Sequence, residues 1–148
     1  MCVAVFARTL VLCDGKTLIL LLPQLAAVNV ESVVVQDGVL GVTAATRDGP
    51  AACTGCGQAS QWLHSTYLRH AADEAVGGRS LRIDLQVRRL YCQNPARPKA
   101  TFAEQVAGLT RRYQRRTPAL QRVVYAVAAA LAGSAGARLL LVLHQALS

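Results

Sequence analysis

The chain has 148 residues, 53% of them hydrophobic, and 16 Lys and Arg against 8 Asp and Glu, which gives a formal net charge of +8. This length fits one domain or two small ones, and so apolar a composition excludes a disordered tail. Residues 1–78 carry four basic and six acidic side chains, whereas residues 79–148 carry twelve basic and two acidic ones. The positive charge therefore belongs to the second half, and most of it is Arg, whose planar guanidinium suits phosphate.

The first 22 residues show no clear periodicity and are predicted to be an unpatterned leader. The first basic residue is Arg8, and Cys13-Asp14-Gly15-Lys16 interrupts any apolar signal-peptide core. The five Cys are odd in number, and two of them form a Cys-x-x-Cys pair, which favours metal binding over a disulfide framework. We expect a cytoplasmic protein.

The middle of the chain has strand patterns. Two β-rich runs, 28–35 and 39–43, flank Asp37-Gly38, which predicts a hairpin. A short strand is predicted over 61–68, and Gly77-Gly78 predicts a turn. Residues 79–92 give the clearest alternation, which slips at Arg88-Arg89 and indicates a bulge or the end of the strand. The apolar face of this strand is predicted to comprise Leu81, Ile83, Leu85 and Val87.

Helix signals follow. Thr101-Phe102-Ala103-Glu104 fits a capping box, and Thr117-Pro118 marks a second helix start. Gly133 ends that second helix, and Ser134 is expected to cap a last one over 135–147. The apolar stretch 123–143 is long enough for a membrane span, but its glycines and Arg138 favour two helices with a turn between them, so no membrane partner is expected. The second helix carries an apolar stripe made of Leu120, Val123, Val124, Val127, Ala128 and Leu131.

The Cys-x-x-Cys pair lies in a glycine-rich turn, Cys53-Thr54-Gly55-Cys56-Gly57. Structural zinc takes four ligands in tetrahedral geometry. Cys92, at the end of the long strand, is the third candidate ligand, because hairpin geometry can return it to the turn. No fourth ligand is evident: Cys2 and Cys13 lie in the leader, and His64 or His70 would have to turn in from a strand. The pair can also be incidental, with no metal.

Several stretches in a fixed order resemble one protein family. They are Cys53-Thr54-Gly55-Cys56-Gly57, 64–67, 87–92, Asn94-Pro95, 101–104 and 133–140, spanning more than 80 residues. Together they resemble the N-terminal part of the ISL-three family of bacterial insertion-sequence transposases. The resemblance implies a β-rich zinc finger followed by a helix-turn-helix that recognises transposon ends.

The chain departs from the family at two points. The last finger ligand would fall five residues after Cys92, where this chain has Arg97, so zinc binding through Cys53, Cys56 and Cys92 is expected to be weak or substoichiometric. Family members also continue into a catalytic domain whose three carboxylates hold divalent metal. That domain is not in this sequence, and the local acids form no triad. We expect Asp73 and Glu74 to be solvated and Glu104 to serve the cap, so no catalytic residue is assigned and no strand-transfer activity is expected.

Basic residues near the proposed finger are the candidates for contact with DNA. If helical, the run Arg111-Arg112-Tyr113-Gln114-Arg115-Arg116 presents pairs four residues apart, and six engaged phosphates predict a salt-dependence slope of about −5. The alternative is a solvated basic linker. Trp62 and Tyr67 are expected in the core rather than stacked on bases. The candidate DNA-binding residues are Arg88, Arg89, Arg111, Arg112, Arg115 and Arg116.

The sequence thus predicts an α+β fold with three parts: a leader over 1–22, a β-hairpin and degenerate zinc-ribbon-like finger over 23–100, and an incomplete helix-turn-helix over 101–148. The predicted function is DNA binding by a transposase fragment, with double-stranded DNA as partner and no small-molecule substrate. The alternative is an inactive remnant that self-associates, or docks on an intact transposase, through its apolar C-terminal helix.

Overall fold

A computed structural model describes residues 3–6, 9–12, 15–96 and 100–145, with side chains from residue 17 onward. The fold is mixed α+β and mostly strand, which confirms the predicted class. The helices are α1 (Gly15–Leu21), a 3-10 helix (Pro23–Ala27), α2 (Pro118–Ala130) and α3 (Ser134–Val142). The strands are β1 (Val3–Phe6), β2 (Thr9–Leu12), β3 (Val28–Gln36), β4 (Val39–Thr46), β5 (Ala51–Ala52), β6 (Ala59–Ser60), β7 (Leu63–Val76), β8 (Arg79–Tyr91) and β9 (Thr101–Ala103).

Seven of the described strands form one sheet, six of them in the order β1-β2-β3-β4-β8-β7 and the seventh, β9, paired with β8. All neighbours along this path are antiparallel except β4 and β8, which pair in parallel. The short strand β9 pairs with Arg89–Tyr91 of β8, beyond the part of that strand that pairs with β4. β5 and β6 form a separate two-stranded hairpin.

The predicted hairpin is confirmed as β3 and β4. Asp37 and Gly38 have φ angles of 51° and 78°, as the favoured two-residue hairpin turn requires. The strand predicted over 79–92 is confirmed as β8, and the strand predicted over 61–68 runs further, to Val76. Long pairing with β8 accounts for the extension, because β7 stays in register with it over most of its length.

Regular structure occupies the segment for which the sequence predicted none. β1 pairs with β2, and β2 continues the sheet onto β3. Leu18 and Leu22, at α1 and just after it, are buried, as is Leu25 of the 3-10 helix. These two strands have four residues each, which is too short for an alternating pattern to be recognised in the sequence. Pairing with the edge of the sheet at β3 stabilises them instead.

One apolar core lies between the sheet and the segments that cover it. The odd positions of β8 from Leu81 to Val87 point into it, while Leu90 belongs to a second small cluster with Cys53 and Phe102. The slip predicted at Arg88-Arg89 coincides with a bulge, because the β7 residues that pair with Arg89 and Leu90 are two positions apart, Ser65 and Leu63. The buried positions of β8 change there, and the strand continues to Tyr91. The first core contains Leu18, Leu22, Leu25, Val28, Val33, Val42, Ala44, Leu81, Ile83, Leu85, Val87, Val106 and Leu109.

The helix predicted to start at Thr101 is wrong. Residues 101–103 form β9, and Phe102 is buried against Leu90. The Glu104 carboxylate binds Arg88, and its backbone N–H donates to the Arg88 carbonyl at 3.0 Å. The capping-box residues are present, but pairing with the open edge of β8 satisfies the same backbone groups in an extended conformation.

The second helix start is confirmed. Thr117 caps α2 by accepting a hydrogen bond from the Leu120 N–H at 3.3 Å, and Pro118 occupies the first turn. After α2, the chain turns at Gly133, whose φ is 74°. Gly133 rather than Ser134 is the N-cap of α3, and no side chain caps it. Gly136 packs so closely on α2 that an added methyl group would overlap the Leu131 carbonyl oxygen.

The last helix is shorter than predicted. It ends at Val142, where His144 adopts a left-handed conformation with φ 56°. The N–H of His144 donates to the Leu141 carbonyl and that of Gln145 to the Leu140 carbonyl, so the last turn is closed by a Schellman motif. Residues 146 and 147 of the predicted helix lie outside the described residues. Among the described helices, none combines the length and the apolar character needed to cross a membrane.

Asp73 is buried, in contrast to the solvated position expected for it. Its carboxyl group accepts hydrogen bonds from Gln24 Nε2 at 2.6 Å, from the Thr117 hydroxyl and from the Glu74 N–H. These partners belong to the 3-10 helix, the cap of α2 and β7 itself. A buried carboxyl group with several donors is stable where an unpartnered one would not be.

Candidate functional site

Three cysteines converge at one edge of the second apolar cluster. Cys53 follows β5 and Cys56 lies in the turn before β6, while Cys92 directly follows β8. Their Sγ atoms lie within 4.8 Å of one another, and those of Cys56 and Cys92 are 3.5 Å apart. Hydrogen bonds between Cys53 and the backbone of Gly57 and Gln58 close the turn, and Gly57 has a φ of 76°.

The turn stabilises a thiolate. Burial raises the pKa of the Cys53 thiol. Hydrogen bonds from the N–H groups of Gly55 and Cys56 and from the neighbouring thiols have the opposite and larger effect, and together they lower the pKa to about 7. The Gly55 nitrogen is 3.4 Å from the Cys53 Sγ. For Cys56, the N–H of Gln58 lowers the pKa, but burial and the two other thiols outweigh it and raise the value. Metal ions bind the thiolate form of cysteine.

This donor set fits a zinc ion. Tetrahedral zinc with bonds of about 2.3 Å to sulfur separates its ligand sulfurs by about 3.8 Å. The Sγ atoms of Cys56 and Cys92 are 3.5 Å apart, and all three sulfurs lie within 4.8 Å of one another. Three thiolates leave one position for a further ligand. The described residues do not include Cys2 and Cys13, which are further candidate ligands, or Arg97, which occupies the expected position of the fourth ligand. His64 contacts Ser65 and Tyr91, and His70 binds Asp84.

Arginines from three segments line a cavity of about 380 Å³ beside this cluster. They are Arg69 of β7, Arg89 of β8 and Arg112 of the loop before α2. No Asp or Glu lines the cavity. Thr54, from the cysteine turn, and Phe102, which packs with Cys53, form part of its wall, so the cysteine cluster and the arginine cavity share a boundary.

A second cavity adjoins the first and adds Arg115. Both are lined by Tyr67, Arg69 and Tyr113, and neither is lined by an acidic residue. We call this surface the arginine groove. It is defined by Tyr67, Arg69, Arg89, Arg112, Tyr113 and Arg115.

The six arginines singled out from the sequence divide into two groups. Arg89, Arg111, Arg112 and Arg115 are exposed, and all but Arg111 line the groove. Arg88 is turned away: its Nε and Nη2 each lie 2.9 Å from a Glu104 carboxylate oxygen, and its Nη1 donates to the Gly49 carbonyl. Hydrogen bonding to Glu104 raises the pKa of Arg88. Arg116 is half-buried, and its backbone pairs with Ala72. The 111–116 segment is a loop, not a helix.

Sequence reasoning missed Arg69 and Tyr113 as groove residues. Arg69 Nη2 donates to the carbonyls of Arg111 and Gln114, the latter at 2.6 Å, so it fixes the loop that carries Arg112. The contact joins residues more than 40 positions apart, and no local pattern reveals it. Trp62, expected in the core, is 65% exposed, whereas Tyr67 is half-buried against the first core.

No protein-family model, no curated protein and no solved structure matches the chain.

Proposed function

We propose that the protein is a DNA-binding module, the N-terminal part of an ISL-three type transposase, which holds the phosphates of transposon ends in the arginine groove. One observation carries the proposal: arginines distant in sequence converge on one surface that no acidic residue lines. Guanidinium groups bind phosphate oxygens in planar pairs, and clusters of them gain affinity by releasing counterions.

The cysteine cluster supports the same proposal. Zinc held by Cys53, Cys56 and Cys92, as in a zinc-ribbon-like finger, would stabilise the turn that carries Thr54 at the wall of the groove. Structural zinc contributes folding free energy through such turns. The metal would thus act on DNA binding through the shape of the groove, with no catalytic step.

The two C-terminal helices support the proposal that the chain is part of a DNA-binding module. α2 and α3 are joined by a tight turn at 131–133 and pack on each other through Gly136. A helix pair of this kind is the beginning of a helix-turn-helix, in which a recognition helix reads base edges. Phosphate contacts alone position a protein on DNA without reading its sequence, so we expect strong affinity and weak sequence preference from this chain.

Salt titration of binding to a short duplex tests the proposal. Four exposed arginines, Arg89, Arg111, Arg112 and Arg115, predict a slope of about −4 in a plot of log affinity against log salt. The expected slope is lower than the slope from six phosphates, because Arg88 is paired with Glu104 and Arg116 is half-buried. Fluorescence anisotropy measures the affinity, and absence of salt-dependent binding would reject the proposed function.

A charge-matched control separates the groove from general basicity. Arg89→Ala and Arg112→Ala are each expected to reduce the slope by about 1. Arg79→Ala removes the same charge from the opposite end of β8, about 30 Å along the strand, and should leave the slope unchanged. Equal effects of all three substitutions would mean that net charge, not the groove, binds DNA.

A second candidate function rests on a different surface. Apolar side chains of α2 and α3 remain exposed, among them Tyr125, Leu141, Val142 and Leu143. Large apolar side chains exposed on successive elements are typical of a protein interface. They favour a chain that self-associates, or docks on an intact transposase, through its C-terminal helices.

A further inference from the structure

Tyr113 has an unusual backbone and an unusual exposure. Its φ is 63°, in the left-handed region that bulky residues rarely occupy, and its side chain is 86% exposed. An exposed tyrosine side chain contributes little to the stability of the fold, and the left-handed conformation is unfavourable for it. Strain of this kind persists where the surrounding structure imposes it, and it concentrates at binding sites.

The surrounding structure holds Tyr113 in place from both sides. Arg69 donates hydrogen bonds to the carbonyl of Arg111, two residues before the tyrosine, and to that of Gln114, directly after it. The Arg112 guanidinium carbon lies 4.8 Å from the centre of the Tyr113 ring. With one ring face against Arg112 and the residue largely exposed, a flat surface remains for another planar group.

The position of the ring suggests what that group is. Tyr113 lines both halves of the arginine groove, the first together with Arg89 and Arg112 and the second together with Arg115. An exposed aromatic ring beside several guanidinium groups, in a cavity lined by no acidic residue, suits a nucleotide, because the ring can stack on the base and the guanidinium groups can bind the phosphate. The first half of the groove, at about 380 Å³, is within the size range of small-ligand pockets.

We propose that Tyr113 stacks on an unpaired base of DNA while Arg89 and Arg112 bind the adjoining phosphate. In an intact duplex each base face is covered by its neighbours, so an exposed ring gains a partner only from a flipped, bulged or single-stranded base. This inference rests on the proposed function and adds to it a preference for duplex DNA that contains an unpaired base.

Three matched probes test it by anisotropy: a perfect duplex, the same duplex with one bulged adenine, and the single strand. Stacking predicts roughly tenfold tighter binding to the bulged duplex than to the perfect one. A fluorescent adenine analogue at the bulge should be quenched when the protein binds, because stacking on Tyr113 quenches it.

Substitutions at Tyr113 separate the ring from the rest of the groove. Tyr113→Asn removes the ring while keeping a residue that tolerates the left-handed conformation, and it should abolish both the tenfold preference and the quenching. Tyr113→Phe should retain both. Tyr125→Asn, which removes an exposed tyrosine from α2, is the control and should change neither.

The outcomes distinguish this inference from the function on which it rests. Salt-dependent binding with equal affinity for perfect and bulged duplexes would overturn the role of Tyr113 and leave the DNA-binding proposal intact. A preference for the bulge that survives in Tyr113→Asn would also overturn it. Circular dichroism of each variant establishes whether it is folded. If Tyr113→Asn unfolds, Tyr113→Phe and Tyr113→Leu replace it in the test. The inference then requires that the preference and the quenching are retained in Tyr113→Phe and lost in Tyr113→Leu.

Discussion

Arg97 is the residue at which we expect a substitution to change metal affinity most directly. If the chain is of the ISL-three type, as we propose, its last finger ligand would fall at this position. Three thiolates cluster without it, so we expect substoichiometric zinc in the natural sequence. Arg97→Cys should raise the zinc content to one ion per chain and raise the thermal midpoint, because a fourth thiolate completes tetrahedral coordination. Atomic absorption and thermal unfolding with and without chelator measure the two effects.

A neighbouring substitution controls for the added thiol. Ala96→Cys introduces the same group one position earlier and should leave the zinc content near that of the natural sequence. One zinc per chain in the unmodified protein would contradict the role given to Arg97. Cys56→Ser should lower the zinc content in either background, since it removes one of the three clustered sulfurs.

At the scale of elements, the ion pair between Arg88 and Glu104 links β8 to the residue that follows β9. Arg88 and Glu104 are each only 14% exposed, and Arg88 also reaches the Gly49 carbonyl. Glu104→Leu is expected to lower the free energy of unfolding by about 3 kcal/mol, because it leaves a largely buried guanidinium without its carboxylate. Urea unfolding followed by circular dichroism measures the loss.

The reciprocal substitution tests whether the cost comes from the unpaired charge. Arg88→Met in the Glu104→Leu background should recover much of the lost stability, since an apolar pair of similar volume replaces a buried ion pair at little cost. Additive losses from the two substitutions would contradict this explanation. Arg88→Met should also leave the salt slope for DNA unchanged, because Arg88 does not line the groove.

Local signals were sufficient for some elements and misleading for others. The hairpin at Asp37-Gly38 and the alternation of β8 depend on neighbouring residues and were predicted correctly. Thr101 to Glu104 carry a valid helix-start motif, but an unpaired strand edge and the buried Arg88 decide their conformation. The convergence of Cys92 on the cysteine turn follows from a predicted strand. The Arg69 contacts that shape the groove depend on tertiary structure, which the sequence does not reveal.

At the scale of the whole molecule, large apolar side chains are exposed on α2 and α3. Val142 is 73% exposed, and Leu141 and Leu143 are exposed beside it. Sedimentation equilibrium is expected to show concentration-dependent association, driven by burial of these side chains. Leu141→Glu combined with Val142→Lys should shift the protein to monomer without changing net charge.

An exposed leucine elsewhere is the control for this surface. Leu20 of α1 is also largely exposed, and Leu20→Lys should leave the association constant unchanged. A protein that stays monomeric at all concentrations would remove the support for the second candidate function. Loss of association with unchanged DNA affinity would show that the two surfaces act independently.

The buried carboxyl group of Asp73 bears on how the molecule unfolds. It accepts hydrogen bonds from Gln24, in the 3-10 helix before β3, and from Thr117 at the start of α2. Detaching either segment leaves a buried carboxyl group without some of its hydrogen-bond donors. The free energy of such a partial opening is therefore a large part of the free energy of complete unfolding. The start of α2 and the adjoining end of β7 should therefore behave as one cooperative unit, with amide hydrogens that exchange through a common opening.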